Sequence, residues 1–404
     1  MKVAFVHPDL GLGGAERLIV DAAMSLQELG HEVVIYTAHH DPSHAFPETT
    51  RALRVCVRGD FLPREICGRG HVLCASVRNA YTAACLALSG LRADVVIVDQ
   101  ISTCVPILRA IGSRVIFYVH FPDKLLASRG SWLRRVYRFP FDLLEELTTG
   151  CAHRILVNSR FTAAAFRGSF RFLARRDPDV LYPSVALPSE EEQQKTKPPY
   201  LVSLNRYERK KRVDLAIEAL ALVEGIDLAI AGGYDTRVLE NVEYHEELRR
   251  LAADLGLQGR VVFERSISDA RRVELLRSAV CLVYTPPEEH FGIVPLEAMA
   301  LGCPVLAVNS GGPLETVVDG TTGFLVDADP RAFACAIQRL LDNPRLAADM
   351  RRAARDHIRS HFARPVFAAR LEAICADVSN GPRKLCGRVV VVENIDGPNN
   401  KHKQ

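Results

Sequence analysis

The stretch Pro287-Glu-Glu-His-Phe-Gly-Ile-Val-Pro-Leu-Glu297 decides how this chain is read. An apolar run of strand character, 279–285, leads into it, and an apolar run of helix character, 294–301, begins within it. Pro295 suits a first helical turn, where no backbone donor is needed, while Gly302 and Pro304 stop the helix. A helix that starts after a parallel strand presents free N–H groups and partial positive charge, which together attract an anion. Glu289 and Glu297 stand on either side of that turn, eight positions apart. Carboxylates beside an anion site face another part of the ligand, and sugar hydroxyls are the natural candidates.

Outward from this turn, short apolar runs alternate with amphipathic stretches, the pattern of parallel sheets with crossover helices. In the first half, strands are expected at 3–7, 32–37, 54–57, 94–99, 114–120, 154–158 and 180–182, with helices at 15–29, 72–89 and 132–148. In the second half, strands are expected at 200–204, 227–231, 260–263, 280–285 and 304–308. Helices there are expected at 213–223, 244–255, 270–278 and 332–341. The polar, proline-flanked segment 186–199 has no apolar period and reads as a linker. The spacing predicts an α/β protein of two doubly wound, Rossmann-like domains, 1–185 and 200–365, facing a cleft and followed by a helix at 366–379. In such sheets ligands sit outside the carboxyl ends of the strands. The tail 380–404 mixes Gly, Pro and Asn around one strand-like run, 388–392, and is left unassigned.

Composition narrows the class. A chain of 404 residues is long for one hydrophobic core, so two domains are the default. A net charge of +3 gives no case for nucleic-acid binding by bulk electrostatics. Eleven cysteines without Cys-x-x-Cys spacing read as reduced core residues rather than a disulfide or zinc framework. The N-terminal run Met1-Lys-Val-Ala-Phe-Val6 reaches His7-Pro8 too soon for a signal peptide. The longest apolar stretch, 72–91, is interrupted by Arg78 and Asn79. A soluble or peripheral protein is expected.

Three further places carry chemistry. Gly11-Leu-Gly-Gly-Ala-Glu-Arg17 lies between the first strand and first helix, where a phosphate-binding loop belongs. As a dinucleotide fingerprint it is poor, because Glu16 takes the third glycine's place and no acid ends the second strand. A phosphate cradle and a ligand-free tight turn both fit Gly13 and Gly14. Leu204-Asn-Arg-Tyr-Glu-Arg-Lys-Lys-Arg212 follows the first strand of the second half, so Arg206 and Lys211 can aim at one diphosphate. Arg209, Lys210 and Arg212 read as surface charges. His120, at the end of an apolar strand, faces the cleft or serves the structure.

Asp177-Pro-Asp179 and Asp327-Ala-Asp329 imitate metal-binding Asp-x-Asp but sit where turn and cap residues belong, so no metal is expected. Basic and aromatic residues interleave at 132–139 and 166–176, as an amphipathic helix or a surface resting on anionic lipid.

The Glu289–Glu297 spacing, the Arg206/Lys211 loop and the N-terminal glycine loop together resemble glycosyltransferase family 4, retaining enzymes of the two-domain GT-B fold. Within it, the chain is similar to the eukaryotic alpha-1,3/1,6-mannosyltransferases of dolichol-linked oligosaccharide assembly. The matching text includes His7-Pro-Asp-Leu-Gly11, Phe117-Tyr-Val-His-Phe-Pro-Asp123, Val157-Asn-Ser-Arg-Phe161, Ser203-Leu-Asn-Arg-Tyr-Glu-Arg-Lys-Lys211 and Asn309-Ser-Gly-Gly-Pro-Leu-Glu315. It runs from residue 1 to about 378.

The resemblance implies GDP-mannose as donor and a dolichyl-pyrophosphate-linked Man-GlcNAc2 as acceptor, extended by alpha-1,3 and then alpha-1,6 mannose. It implies the cytosolic face of the endoplasmic reticulum membrane, other mannosyltransferases of the same pathway as partners, and neither metal nor other cofactor. Glu297 would hold the ribose hydroxyls and Glu289 the donor mannose. Arg206 and Lys211 would neutralise the diphosphate, with the backbone of Gly292, Ile293 and Val294 and of Gly13 and Gly14 completing its cradle. His120 would meet the mannose near the reacting carbon. Two alternatives stay open: a family-4 transferase with another nucleotide-sugar, and a catalytically silent scaffold. The chain departs from family members in its tail, which continues through 380–404 where they usually end.

Overall fold

Two parallel sheets organise the computed structural model, which describes residues 1–66, 70–126, 132–187 and 199–381. Most of the expected linker, and all of the tail beyond 381, lie outside the described residues. The first sheet contains β1 (Lys2–Asp9), β2 (Glu32–His39), β3 (Arg54–Val57), β4 (Val95–Asp99), β5 (Val115–Val119), β6 (Arg154–Val157) and β7 (Asp179–Val180). Its order is β3-β2-β1-β4-β5-β6-β7. The second contains β8 (Tyr200–Leu204), β9 (Asp227–Gly232), β10 (Val261–Arg265), β11 (Leu282–Tyr284), β12 (Val305–Val308) and β13 (Gly323–Val326), ordered β10-β9-β8-β11-β12-β13. Helices cover both faces, which is why β1, β4 and β5 read as unbroken apolar runs rather than alternating ones.

Each sheet reverses its winding once, between β1 and β4 and between β8 and β11. A crevice opens at the carboxyl ends of the strands at such a switch point. The glycine loop follows β1, Asp99 ends β4, and the turn bearing Glu289 follows β11. Topology alone therefore brings the chemistry-bearing residues of each half to one rim.

The last described helix, Arg364–Asn380, packs on the first sheet, not the second. Phe367, Leu371, Cys375 and Val378 are buried in one cluster with Val3, Phe5, Leu18 and Leu26. Arg154 pairs with Asp377 at 2.7 Å, and the Arg114 guanidinium donates to the Val378 carbonyl at 2.8 Å.

Strand β13 and helix Pro344–His361 lie outside the expected series, and one expectation needs correction. The four residues of β13 open on a glycine and carry little strand pattern. Helix Pro344–His361 was likewise unexpected, because only Met350, Ala354 and Ile358 are buried, a narrow stripe in a charged segment. The basic-aromatic run at 166–176 is not one surface helix. Its helix ends at Ser169, Phe166 and Phe170 are core residues, and only Phe172 stands exposed among its aromatic residues.

One carboxylate spans the two domains. Ser159 caps helix Arg160–Ser169 of the first domain by accepting from Thr162 N–H. Glu315 of the second domain adds a charge at the same helix start, accepting from Arg160 N–H at 2.7 Å and Phe161 N–H at 2.8 Å. The Tyr182 hydroxyl also donates to it, at 3.0 Å. Beside this clasp the Ser159 hydroxyl donates to the His290 carbonyl at 2.5 Å, and Phe121 stacks on the His290 ring at 3.6 Å. Charge-assisted bonds of this kind contribute about 1.5–3 kcal/mol each. Glu315→Ala should lower the unfolding midpoint and raise the radius of gyration in X-ray scattering. An unchanged scattering curve would show that other contacts hold the domains together.

Candidate active site

The wall formed by the second domain is a turn held in a conformation that most residues avoid. Glu288 has φ +51° and Gly292 has φ +80°, both in the left-handed region. Gly311 and Gly312 lie against this turn so closely that a Cβ on Gly312 would stand 2.2 Å from the Phe291 carbonyl oxygen. The Gly312 N–H donates to the Glu289 carbonyl at 2.7 Å, and Glu288 N–H donates to Ser310 Oγ at 3.1 Å. Helix Ile293–Ala300 then starts at Gly292 with no side-chain cap, leaving its first-turn donors without a side-chain partner.

The cationic loop after β8 splits into two kinds of residue. Lys211 is only 14% exposed and its ammonium contacts the Glu289 carboxylate, to which the Tyr284 hydroxyl also donates at 3.2 Å. The Thr285 hydroxyl donates to the Lys211 carbonyl at 2.7 Å, tying this loop to the turn. Burial opposes ionisation of Glu289, but Lys211 and the Tyr284 hydroxyl outweigh it and hold the carboxyl below its ordinary value. Arg206 is 64% exposed and pairs with Glu208 at 2.9 Å. Lys210 also pairs with Glu208, Arg209 with Glu243 and Glu247, and Arg212 with Asp214.

Glu297 is different. Burial raises its carboxyl, and Arg272 at 3.4 Å offsets this only in part. Its Oε2 is buried with no hydrogen-bond donor among the described residues.

Across the cleft, helix Gly14–Glu28 starts from the extended Gly13, also with no side-chain cap, and Glu16 folds over Gly13. His120 follows β5 and lines a cavity of about 370 Å³ together with Ala15, Gln100, Ser102, Phe121 and His290. Glu145 also borders this cavity and accepts from Asp123 N–H at 2.8 Å and Lys124 N–H at 3.1 Å. Burial pushes the Glu145 carboxyl up to about 7. The Asp-x-Asp pairs serve as turn and cap residues. Asp329 accepts from Ala332 N–H at a helix start, and Asp177 pairs with Arg167. Among the described residues no group of three or more His, Cys, Asp or Glu side chains converges as a metal site.

Comparison with known proteins places the chain. The profile of Glycosyltransferase Family 4 matches residues 12–188, and that of Glycosyl transferases group 1 matches residues 188–357. The human Alpha-1,3/1,6-mannosyltransferase ALG2 is 48% identical over 393 residues, covering 92% of this chain and 94% of the relative. The chain belongs to the alpha-1,3/1,6-mannosyltransferase family. The family member from Dictyostelium discoideum is 41% identical, covering 93% of this chain and 97% of the relative. Among solved structures, the sucrose-phosphate synthase from Thermosynechococcus elongatus superposes with a TM-score of 0.71 at 20% identity, covering 93% of this chain and 98% of that one. That likeness shows the shared GT-B fold of two Rossmann-like domains. The chain is thus a glycosyltransferase, and a mannosyltransferase by family.

The structure adds residues that sequence reasoning missed. Asp99, His7, Arg272, His290 and Glu315 each contact a site residue or the seam between domains. Asp99 had one available signal, an acid closing an apolar strand at a switch point.

The Lys211–Glu289 contact sets a pH dependence. Glu289 lies below its ordinary value of 4.5, so its contribution is fully present above that value and is lost as pH falls through the folded one. Lys211→Met removes the largest influence opposing burial and leaves only His290 and the Tyr284 hydroxyl against it, which moves the carboxyl up from its native value. The variant should lose about 2 kcal/mol near pH 7. The deficit should shrink at a pH below 4.5, as Glu289 takes a proton. Urea midpoints at the two pH values check this, and an equal deficit at both would break the argument.

Proposed function

We propose that the cleft binds GDP-mannose through the second domain and transfers mannose, with retention, to a dolichyl-pyrophosphate-linked Man-GlcNAc2 acceptor held by the first. Mannose is added in alpha-1,3 and then alpha-1,6 linkage in N-glycan precursor synthesis. The observation that carries this reading is on helix Ile293–Ala300. Among the described residues the buried Glu297 Oε2 has no donor, and the helix start has no side-chain cap. Four residues of helix rise about 6 Å, the scale separating a ribose from its diphosphate. Glu297 accepts from the ribose hydroxyls while the backbone of Gly292, Ile293 and Val294 faces phosphate.

Arg206 and Lys211 bring positive charge to the same phosphates, and Gly13 and Gly14 approach from the opposite domain. The acceptor hydroxyl attacks on the face from which GDP departs. Fixed donors aimed at the developing charge contribute about 3 kcal/mol each, so the reaction runs without a divalent cation. Glu289, kept ionised, meets mannose hydroxyls, and His120 meets the sugar near its reacting carbon.

The enzyme works at the cytosolic face of the endoplasmic reticulum membrane. No helix among the described residues is long and apolar enough to cross a membrane. Trp132, Val136 and Phe139 are exposed at helical spacing on one helix, a surface suited to lipid headgroups. Arg138, in the same stretch, is buried against Asp123 and Asp142 and takes no part in that surface.

Product analysis with GDP-mannose and a synthetic lipid-linked acceptor should show two successive mannose additions that persist in chelator. Arg206→Ala and Lys211→Ala should each lower kcat/KM by about 10²-fold. Near-native turnover in both variants would remove the diphosphate assignment. Calorimetric titration should show binding of GDP-mannose and not UDP-glucose. Trp132→Ser combined with Phe139→Ser should reduce flotation with anionic vesicles while leaving donor binding intact.

A further inference from the structure

Asp99 divides its two carboxylate oxygens between two histidines. Oδ1 lies 2.8 Å from His7 Nδ1 and Oδ2 lies 3.1 Å from His120 Nε2, and the Asp99 and His7 side chains are fully buried. The other nitrogen of His7 lies 3.1 Å from the Asp9 carbonyl and 3.9 Å from Glu16. A carbonyl only accepts, so His7 Nε2 carries a proton. An ionised carboxylate also only accepts, so Nδ1 carries a second one and His7 is an imidazolium sealed in the fold. Electrostatics agree. Burial opposes the charge on His7, yet Asp99 raises it above its ordinary value; burial opposes the charge on Asp99, yet His7 and His120 lower it.

The same logic fixes His120. Its Nε2 donates to Asp99 Oδ2, which in a neutral ring leaves the lone pair on Nδ1, and no described residue hydrogen-bonds that nitrogen. His120 borders the cavity at the cleft, with Tyr118 packed on its ring at 5.0 Å.

We propose that Asp99 is a positioning residue that sets the tautomer of His120, so that Nδ1 is presented as a hydrogen-bond acceptor for a hydroxyl of the transferred sugar. His7 is the permanent counter-ion that keeps Asp99 ionised. The proposal deepens the GDP-mannose reading and rests on it for the identity of that hydroxyl. The tautomer itself is a property of the free enzyme. Glu16, which faces both His7 and Gly13, joins this buried network to the glycine loop. Arg78 and Asp9, paired at 3.1 Å, are further charged groups near it.

The test uses the full chain labelled with 15N-histidine and long-range proton–nitrogen spectra, the two rings being assigned from spectra of His7→Gln and His120→Gln. His7 should be protonated on both nitrogens at neutral pH, and His120 on Nε2 alone. Asp99→Asn should lower kcat by about 10²-fold, leave KM for GDP-mannose within about twofold, and turn the His120 signal into a mixture of tautomers. A native His120 protonated on Nδ1, a neutral His7, or an Asp99→Asn enzyme with native kcat overturns the proposal. If Asp99→Asn does not fold, the native spectrum decides. Failure of the donor reading would appear separately, as GDP-mannose that does not bind while the tautomers stand as described.

Discussion

The interaction on which the site depends is the double engagement of Glu289. Its backbone carbonyl receives the Gly312 N–H and its carboxylate receives Lys211 and Tyr284. One residue thus joins three segments that are far apart in sequence: the loop after β8, the turn after β11 and the glycine pair after β12. Without the glycine pair the turn could not close, because any side chain there would meet backbone. Without Lys211 the carboxylate would be buried and uncompensated. Charge and chain direction are therefore fixed together, and the helix that follows starts with no side-chain cap on its first-turn donors.

The first domain answers with a different kind of order. There the organising element is a buried ion pair between His7 and Asp99 at the switch point, with His120 as its outlet to the cleft. The two domains meet at Phe121 and His290, immediate sequence neighbours of His120 and Glu289. Docking of one domain on the other is in this way coupled directly to the positions of His120 and Glu289.

Much of this was legible beforehand. Parallel strands buried on both faces announce themselves as apolar runs, and strand-to-helix turns with glycine or proline mark where ligands gather. That sufficed for two Rossmann-like domains and for placing Glu289, Lys211, His120 and the glycine loop at strand ends. It did not suffice for pairings such as Arg206 with Glu208, or Glu315 with Arg160 N–H, the latter joining residues 155 apart in sequence. Aromatic residues misled in one place: Phe166 and Phe170 carry the composition of a lipid-facing run but fill the core. Periodicity reports which face is apolar, not what covers it.

Helix Arg364–Asn380 belongs to the core of a sheet whose last strand, β7, ends at Val180. During synthesis, the first domain therefore emerges with its floor missing and keeps Phe5, Leu18 and Leu26 uncovered until the whole second domain has been made. The second domain, continuous in the chain, folds without such a delay. The first domain is the last to be completed, and a ribosome that stops early leaves the second domain tethered to an unfinished partner with its apolar face open to chaperones.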